Sequence, residues 1–349
     1  MYHRIKKCIF ILSSIFLFTA CGDRSVPDVS HISVSLRVQR FEKDFFGMDT
    51  LNVDRSLDLL DEKYPEFLPP YITQVLGLDP REDSIRFKEN IIRFVRDYKP
   101  VYDSCLIQFR NTDAIEKELK EGLQRVRYYF PQYPLPDRLI TFIGPMDAIF
   151  TASLSSYGDI LTQNALGTGL QLHLGPGFSF YHSPMGQALY PDYITRRFSP
   201  ETISVNAIRN IIDDIYPEQS GNMVLVDQMT EKGKRLYLLD RFMPSLPDTL
   251  RIGYTSSQLK GCFANEGRIW NFFVTNNLLM SNDPMVFQRF LDEGPQTPEL
   301  GEGAPGYLGL FVGRQIVNAY MKKYPATTLE QLLRTPARAV FEGSKYRPK

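Results

Sequence analysis

The sequence predicts a predominantly helical α+β fold on three observations. Apolar residues recur at three- and four-residue spacing in both halves of the chain, two compact apolar runs near its centre read as strands, and the composition can build a large core. Of 349 residues, 43% are hydrophobic and 13% aromatic, enough for one large domain or two modest ones. The 40 Lys+Arg balance 40 Asp+Glu, which removes any general electrostatic drive toward nucleic acid.

The first element is an address rather than folded structure. Arg4, Lys6 and Lys7 precede Cys8 to Ala20, a run that is apolar apart from Ser13, Ser14 and Thr19. This is the pattern of a signal peptide over residues 1–20, and the run is shorter than the roughly 18–20 residues a membrane-spanning helix needs. It closes on Phe18-Thr19-Ala20-Cys21-Gly22, which resembles the bacterial lipobox. The resemblance implies that Cys21 becomes the acylated first residue of a lipoprotein. Two or three acyl chains then hold it to the membrane, each buried CH₂ contributing about 0.8 kcal/mol. The expected location is the cell envelope, anchored in the outer membrane and facing the periplasm.

Residues 21–31 are small, polar and interrupted by Pro27, as suits a tether. A helical N-terminal region follows over residues 32–137. It opens on Ile32, Val34, Leu36 and Val38, whose alternation predicts a half-buried strand. Leu57, Leu60 and Tyr64, then Phe87, Ile91, Ile92 and Val95, then Leu119, Leu123 and Val126 recur at helical spacing, with Pro65, Pro69, Pro70, Pro80 and Pro100 as breakers.

The second region, residues 138–335, combines a small sheet with helices. Leu139 to Gly144 reads as one strand, Leu170 to Leu174 as another, and Gly167-Thr168-Gly169 as the turn before it. Helices are predicted from Pro200 to Tyr216, Met223 to Phe242, Ala264 to Leu279 and Gly309 to Lys323, with a loop over residues 292–306 and a tail over residues 336–349.

Beyond the signal only His31, His173 and His182 remain, and the sequence contains no H-E-x-x-H, no phosphate-binding G-x-x-x-x-G-K-[ST] and no G-x-S-x-G. The carboxylates Asp213-Asp214 and Glu116/Glu118 read as solvated helix faces. Cys105 and Cys262 could form one disulfide or remain two buried thiols. No cofactor is expected.

Several stretches together resemble the GldB family, gliding-motility-associated lipoproteins of Bacteroidota. They are Val38 to Phe46 (VQRFEKDFF), Lys63 to Phe67, Leu225 to Met229 running into Gly233 to Asp240, Glu266 to Asn276, Asp283-Pro284, and Pro305-Gly306-Tyr307 through Gly313 to Val317. The resemblance implies work in the envelope machinery of gliding and associated secretion. The partners would be the membrane, through the lipid, and envelope proteins of that machinery.

A second resemblance, to zincin-type zinc proteases, covers the C-terminal region. A zincin needs two histidines one helical turn apart with a glutamate after the first. The matching positions here are Asn206, Ala207 and Asn210, with Glu231 in the place of a third ligand and Leu170 to Leu174 as the edge strand that would hold substrate. Amides bind zinc poorly and alanine cannot activate water, so the resemblance implies a pseudoenzyme. Such a protein would act by binding, and the aromatic segment Phe178 to Tyr193, carrying Phe178, Phe180, Tyr181, Tyr190 and Tyr193, is the candidate interaction surface. The alternatives are a peptidase with an atypical site, using Glu231 or Glu266 with His173 and a metal, and a periplasmic ligand-binding lipoprotein.

Overall fold

A computed structural model describes residues 26–349 except 82, 153, 219, 220 and 222. The expected signal peptide, Cys21 and the start of the expected tether lie outside the described residues. The tether is already packed at Val29, which is 4% exposed. Burial alternates from Ile32 to Leu36 as predicted, but these residues join no ladder. The first strand is instead β1, Arg37–Arg40, leading directly into α1, Phe41–Phe46.

The helices that follow are α2 (Val53–Lys63), α3 (Ser84–Asp97), α4 (Lys99–Gln108) and α5 (Asp113–Tyr129). Pro100 does not interrupt α4 but occupies its first turn, where a missing N–H goes unnoticed. Phe41 and Phe45 are fully buried, and Phe41 packs edge-on to Tyr64, Phe67 and Tyr71, with centroids 4.7–5.1 Å away.

Among the described residues the sheet has four strands in the order β1-β2-β4-β3, where β2 is Arg138–Phe142, β3 is Ile160–Leu161 and β4 is Ala165–Gly169. β2 runs parallel to β1 and β4, and β3 is antiparallel to β4. Buried between neighbours, β2 is the continuous apolar run that a covered parallel strand requires.

The second strand falls elsewhere than predicted. Gly167-Thr168-Gly169 is not a turn but the end of β4, and Leu170–Leu172 is a 3-10 turn rather than a strand. Glycine belongs in this strand because a β-carbon on Gly167 would stand 2.6 Å from Ile160 Cγ2 and 2.7 Å from Phe67 Cε2.

Beyond the sheet come α6 (Thr202–Ile215), α7 (Leu225–Phe242), α8 (Asp248–Ile252), α9 (Ser256–Ala264), α10 (Glu266–Thr275), α11 (Pro284–Leu291), α12 (Leu308–Lys323), α13 (Leu329–Arg334) and α14 (Ala337–Ser344). The predicted helix from Ala264 to Leu279 is corrected at its start: Asn265 separates α9 from α10, and a capping box of Thr255 and Gln258 begins α9.

The expected tail over residues 336–349 is also corrected, because it carries α14. Val340 is fully buried, the Arg338 guanidinium grips both oxygens of Asp227 at 2.8 and 2.9 Å, and the Tyr346 hydroxyl donates to Glu266 at 2.7 Å. One hydrophobic core runs from Leu36 to Tyr346, so the N- and C-terminal regions share both a sheet and a core. Cys105 and Cys262 are both buried and free. No described helix is long and apolar enough to cross a membrane.

Candidate functional site

A cavity of about 740 Å³ opens among α6, α7, α8, the loop before β3, the turn after β4 and the start of α12. Helical periodicity supplies two of its walls. Thr202, Asn206, Arg209 and Asp213 fall on one face of α6, and Lys232, Arg235, Leu236 and Leu239 on one face of α7.

Charge in the cavity is only partly paired. Arg235 meets Asp213 at 3.5 Å, Lys232 meets Glu218 at 3.6 Å, and Arg197 pairs with Glu293. Among the described residues no carboxylate touches Arg209 directly, although its charge acts on Asp213. Its guanidinium donates to the carbonyls of Leu250 and Arg251 and to Asn206, and lies 5.5 Å from the Tyr157 ring. Arg196, at the rim, donates to the carbonyl of Gly253, and desolvation with Arg197 nearby holds it below the usual guanidinium range. Asp292 stands exposed at the same rim.

His173 is the one described histidine in the cavity wall. It is 1% exposed, its Nδ1 lies 3.1 Å from the Ser199 carbonyl and 2.9 Å from the Thr202 hydroxyl, and its Nε2 is buried with no hydrogen-bond partner among the described residues. Burial lowers its pKa to about 4, partly offset by the Ser199 contact, so the ring is neutral at pH 7. Burial likewise pushes the phenols of Tyr157 and Tyr307 up to about 12, leaving both as neutral hydrogen-bonding groups. Tyr307 holds its place through left-handed backbone (φ 63°) just before α12.

The four positions expected to match a zincin's ligands and base have different surroundings. Asn206 faces the cavity, but Ala207 is buried. Asn210, one turn on, donates at 2.9 Å to the buried carboxylate of Asp159, which also accepts from the Thr168 hydroxyl. Glu231 is buried, accepting from Lys234 at 2.7 Å and from the Tyr216 hydroxyl at 2.5 Å, while Lys234 reaches the Thr335 carbonyl at 2.7 Å. Among the described residues no three His, Cys, Asp or Glu side chains group as metal ligands would. The expected edge strand at Leu170 to Leu174 is absent, since the sheet edges are β1 and β3. Glu266 bonds Tyr346 and Gln315, away from His173's partners.

The aromatic segment is corrected in part as a surface. Tyr181 and Tyr190 are fully buried, and their hydroxyls donate to the carbonyls of Gln171 and Met146. Phe178, Phe180 and Tyr193 are half-buried. Two of the five aromatics are thus core, whereas the other three, and the exposed Met185 between them, remain accessible. Sequence reasoning missed Arg196, Arg197, Arg209, Lys232 and Arg235. The polar repeat at 202, 206, 209 and 213 was the available signal, obscured because a solvated helix face has the same pattern.

The stretches that carry the family resemblance mostly touch one another. Arg40 bonds Glu42, and the Tyr64 hydroxyl donates to Asp44. Arg314 bridges Asp240 and Asp248, Gln315 reaches Glu266, and Asp283 caps α11. They build a scaffold, with Tyr307 facing the cavity. In a comparison with known families, the model described as gliding motility protein GldB matches residues 22–348. No curated protein and no solved structure matches the chain.

Proposed function

The chain belongs to the gliding motility protein GldB family, and from that premise we propose a membrane-anchored, non-enzymatic lipoprotein of the cell envelope that supports gliding or associated secretion through protein–protein contacts. Acylation of Cys21 would hold it at the outer membrane, facing the periplasm. The supporting observation is the use made of the zincin-like positions. Asn210 is a cross-link to Asp159, and Glu231 is a cross-link to Lys234 and Tyr216. A buried carboxylate already paired with an ammonium is not available to ligate a metal or activate water. On this reading the zincin-like helix pair is retained as a rigid frame for partners.

Crosslinking in intact cells, followed by capture from the membrane fraction and mass spectrometry, tests the proposal. Wild type should recover gliding or secretion components, whereas Cys21→Ser should fold, leave the membrane fraction and lose them. Stoichiometric zinc together with peptidase activity in the purified chain would overturn the non-enzymatic reading, and a Cys21→Ser chain still firmly in membranes would overturn the anchor.

A further inference from the structure

We propose that the bilayer is itself the partner of one face of the domain: the end of α5 and the loop from there to β2, led by Arg127 and Tyr128, rest on the phospholipid headgroups. The opposite face, which carries the aromatic segment, is then turned away from the membrane. This rests on the acylation of Cys21.

The point of chain entry identifies the face. The Gln124 side chain of α5 donates to the Ile32 carbonyl at 2.8 Å, and the Arg37 amide donates to the Asp137 carbonyl at 3.0 Å. The Asp137 amide in turn reaches the Asn164 carbonyl at 3.0 Å, so β1, β2 and β4 start level with one another where the chain comes in. The aromatic segment covers the other end of these parallel strands. The Tyr190 hydroxyl donates to the carbonyl of Met146, past β2, and the Tyr181 hydroxyl to that of Gln171, past β4.

Reach decides which end meets lipid. Cys21 lies eight residues before Val29, the first described residue that is buried, and eight residues span at most about 28 Å. A domain of this length has a radius of gyration of about 20 Å and is about 50 Å across. An acylated Cys21 therefore holds the entry end beside the bilayer and keeps the far end out of reach of it. It also presents the near face to the headgroups at an effective concentration of about millimolar, so that individually weak contacts suffice.

The near face supplies such contacts. Tyr128 lies one helical turn beyond Gln124 on the same side of α5 and is 49% exposed. Its apolar ring and polar tip suit the headgroup layer. Arg127 donates to the Pro131 carbonyl, which uses one of its N–H groups and leaves others for a lipid phosphate. Pro131, Gln132 and Pro134 of the loop and Val26 of the entering chain are exposed and uncharged. Of the acids nearby, Asp214 accepts from the Tyr133 hydroxyl, Asp137 pairs with Arg138 and Asp28 accepts from the Ser30 amide, while Glu121 stands exposed further up α5.

The test uses the full chain as the cell processes it, in vesicles of phosphatidylethanolamine and phosphatidylglycerol that carry a nitroxide lipid labelled near the headgroup. Cys105 and Cys262 are buried, so a thiol-reactive fluorophore reports on one introduced cysteine. It is placed on the near face by Tyr128→Cys or Gln132→Cys, or on the far face by Met185→Cys, where the side chain is 68% exposed. With the chain floating on the vesicles, both near labels should be quenched roughly threefold or more over the far label, given the reach and width above. Arg127→Gln with Tyr128→Ser should leave flotation unchanged and reduce quenching at Gln132→Cys roughly twofold; should that chain not fold, Arg127→Gln alone replaces it. Equal quenching on the two faces, or none on either, in a chain that still floats would overturn the orientation and leave the anchor standing. Quenching at Gln132→Cys untouched by the arginine and tyrosine changes would overturn the contacts assigned to them. A full chain that does not float would overturn the anchor and the orientation together.

Discussion

Asp159 shows how one buried side chain can govern the response to pH. Its carboxylate accepts from the Thr168 hydroxyl, the Gly169 amide and Asn210, yet burial outweighs these bonds and raises its pKa to about 7. A carboxyl raised on folding favours the native state at low pH and loses that advantage as pH climbs from about 4 through 7. His173 acts in the opposite sense: its pKa falls to about 4 on folding, so stability is lost as pH drops from about 6.5 toward 4. The two offset each other across their shared window. Relative to wild type, Asp159→Asn should therefore become more stable with rising pH, by at most about 1.4 kcal/mol per unit between pH 4 and 7. Urea denaturation of both proteins at several pH values checks this, and a pH-independent difference would exclude it.

Among the elements, the contact between α7 and α12 is the most exacting. A β-carbon on Gly313 would stand 1.8 Å from the Met229 carbonyl oxygen, and one on Gly233 would stand 2.2 Å from the Gly313 carbonyl oxygen. Backbone cannot yield there as a side chain might. Gly313→Ala should cost about 3 kcal/mol or more in chemical denaturation, whereas Gly261→Ala in α9, with open space around it, should gain roughly 0.5–1 kcal/mol from helix propensity. The pair separates close packing from propensity. The same helices illustrate what was legible: the periodicity of Leu310, Phe311, Val312, Ile316 and Val317 predicted α12 to within a residue. It gave no indication that Arg314 is tied to Asp240 and Asp248, because those partners lie 74 and 66 residues away.

At the scale of the whole molecule, one core joins the first strand to the last helix. Removing residues 336–349 would strip Val340 and Tyr346 from that core and unpair Asp227. Thermal unfolding of a chain ending at Thr335 should show a midpoint lower by roughly 10 °C or more; an unchanged midpoint would mean that this segment is the tail its sequence suggested. By itself, the sequence determined the helical character, the positions of most long helices, the strand at Leu139 and the family, because hydrophobic period and short motifs are local properties. The resemblance of Phe18 to Gly22 to a lipobox lies outside the described residues and remains an expectation from sequence. Only the tertiary structure decided that Gly167 and Gly169 belong to a strand, that Glu231 is an internal ion-pair partner, and that Tyr181 and Tyr190 are core. The strand and the ion pair depend on what residues outside them place beside them: Phe67 against the strand, Tyr216 on the Glu231 carboxylate, and the Thr335 carbonyl on its partner Lys234. The cavity is decided in the same way, since its charged and apolar walls come from segments that meet only when the chain is folded.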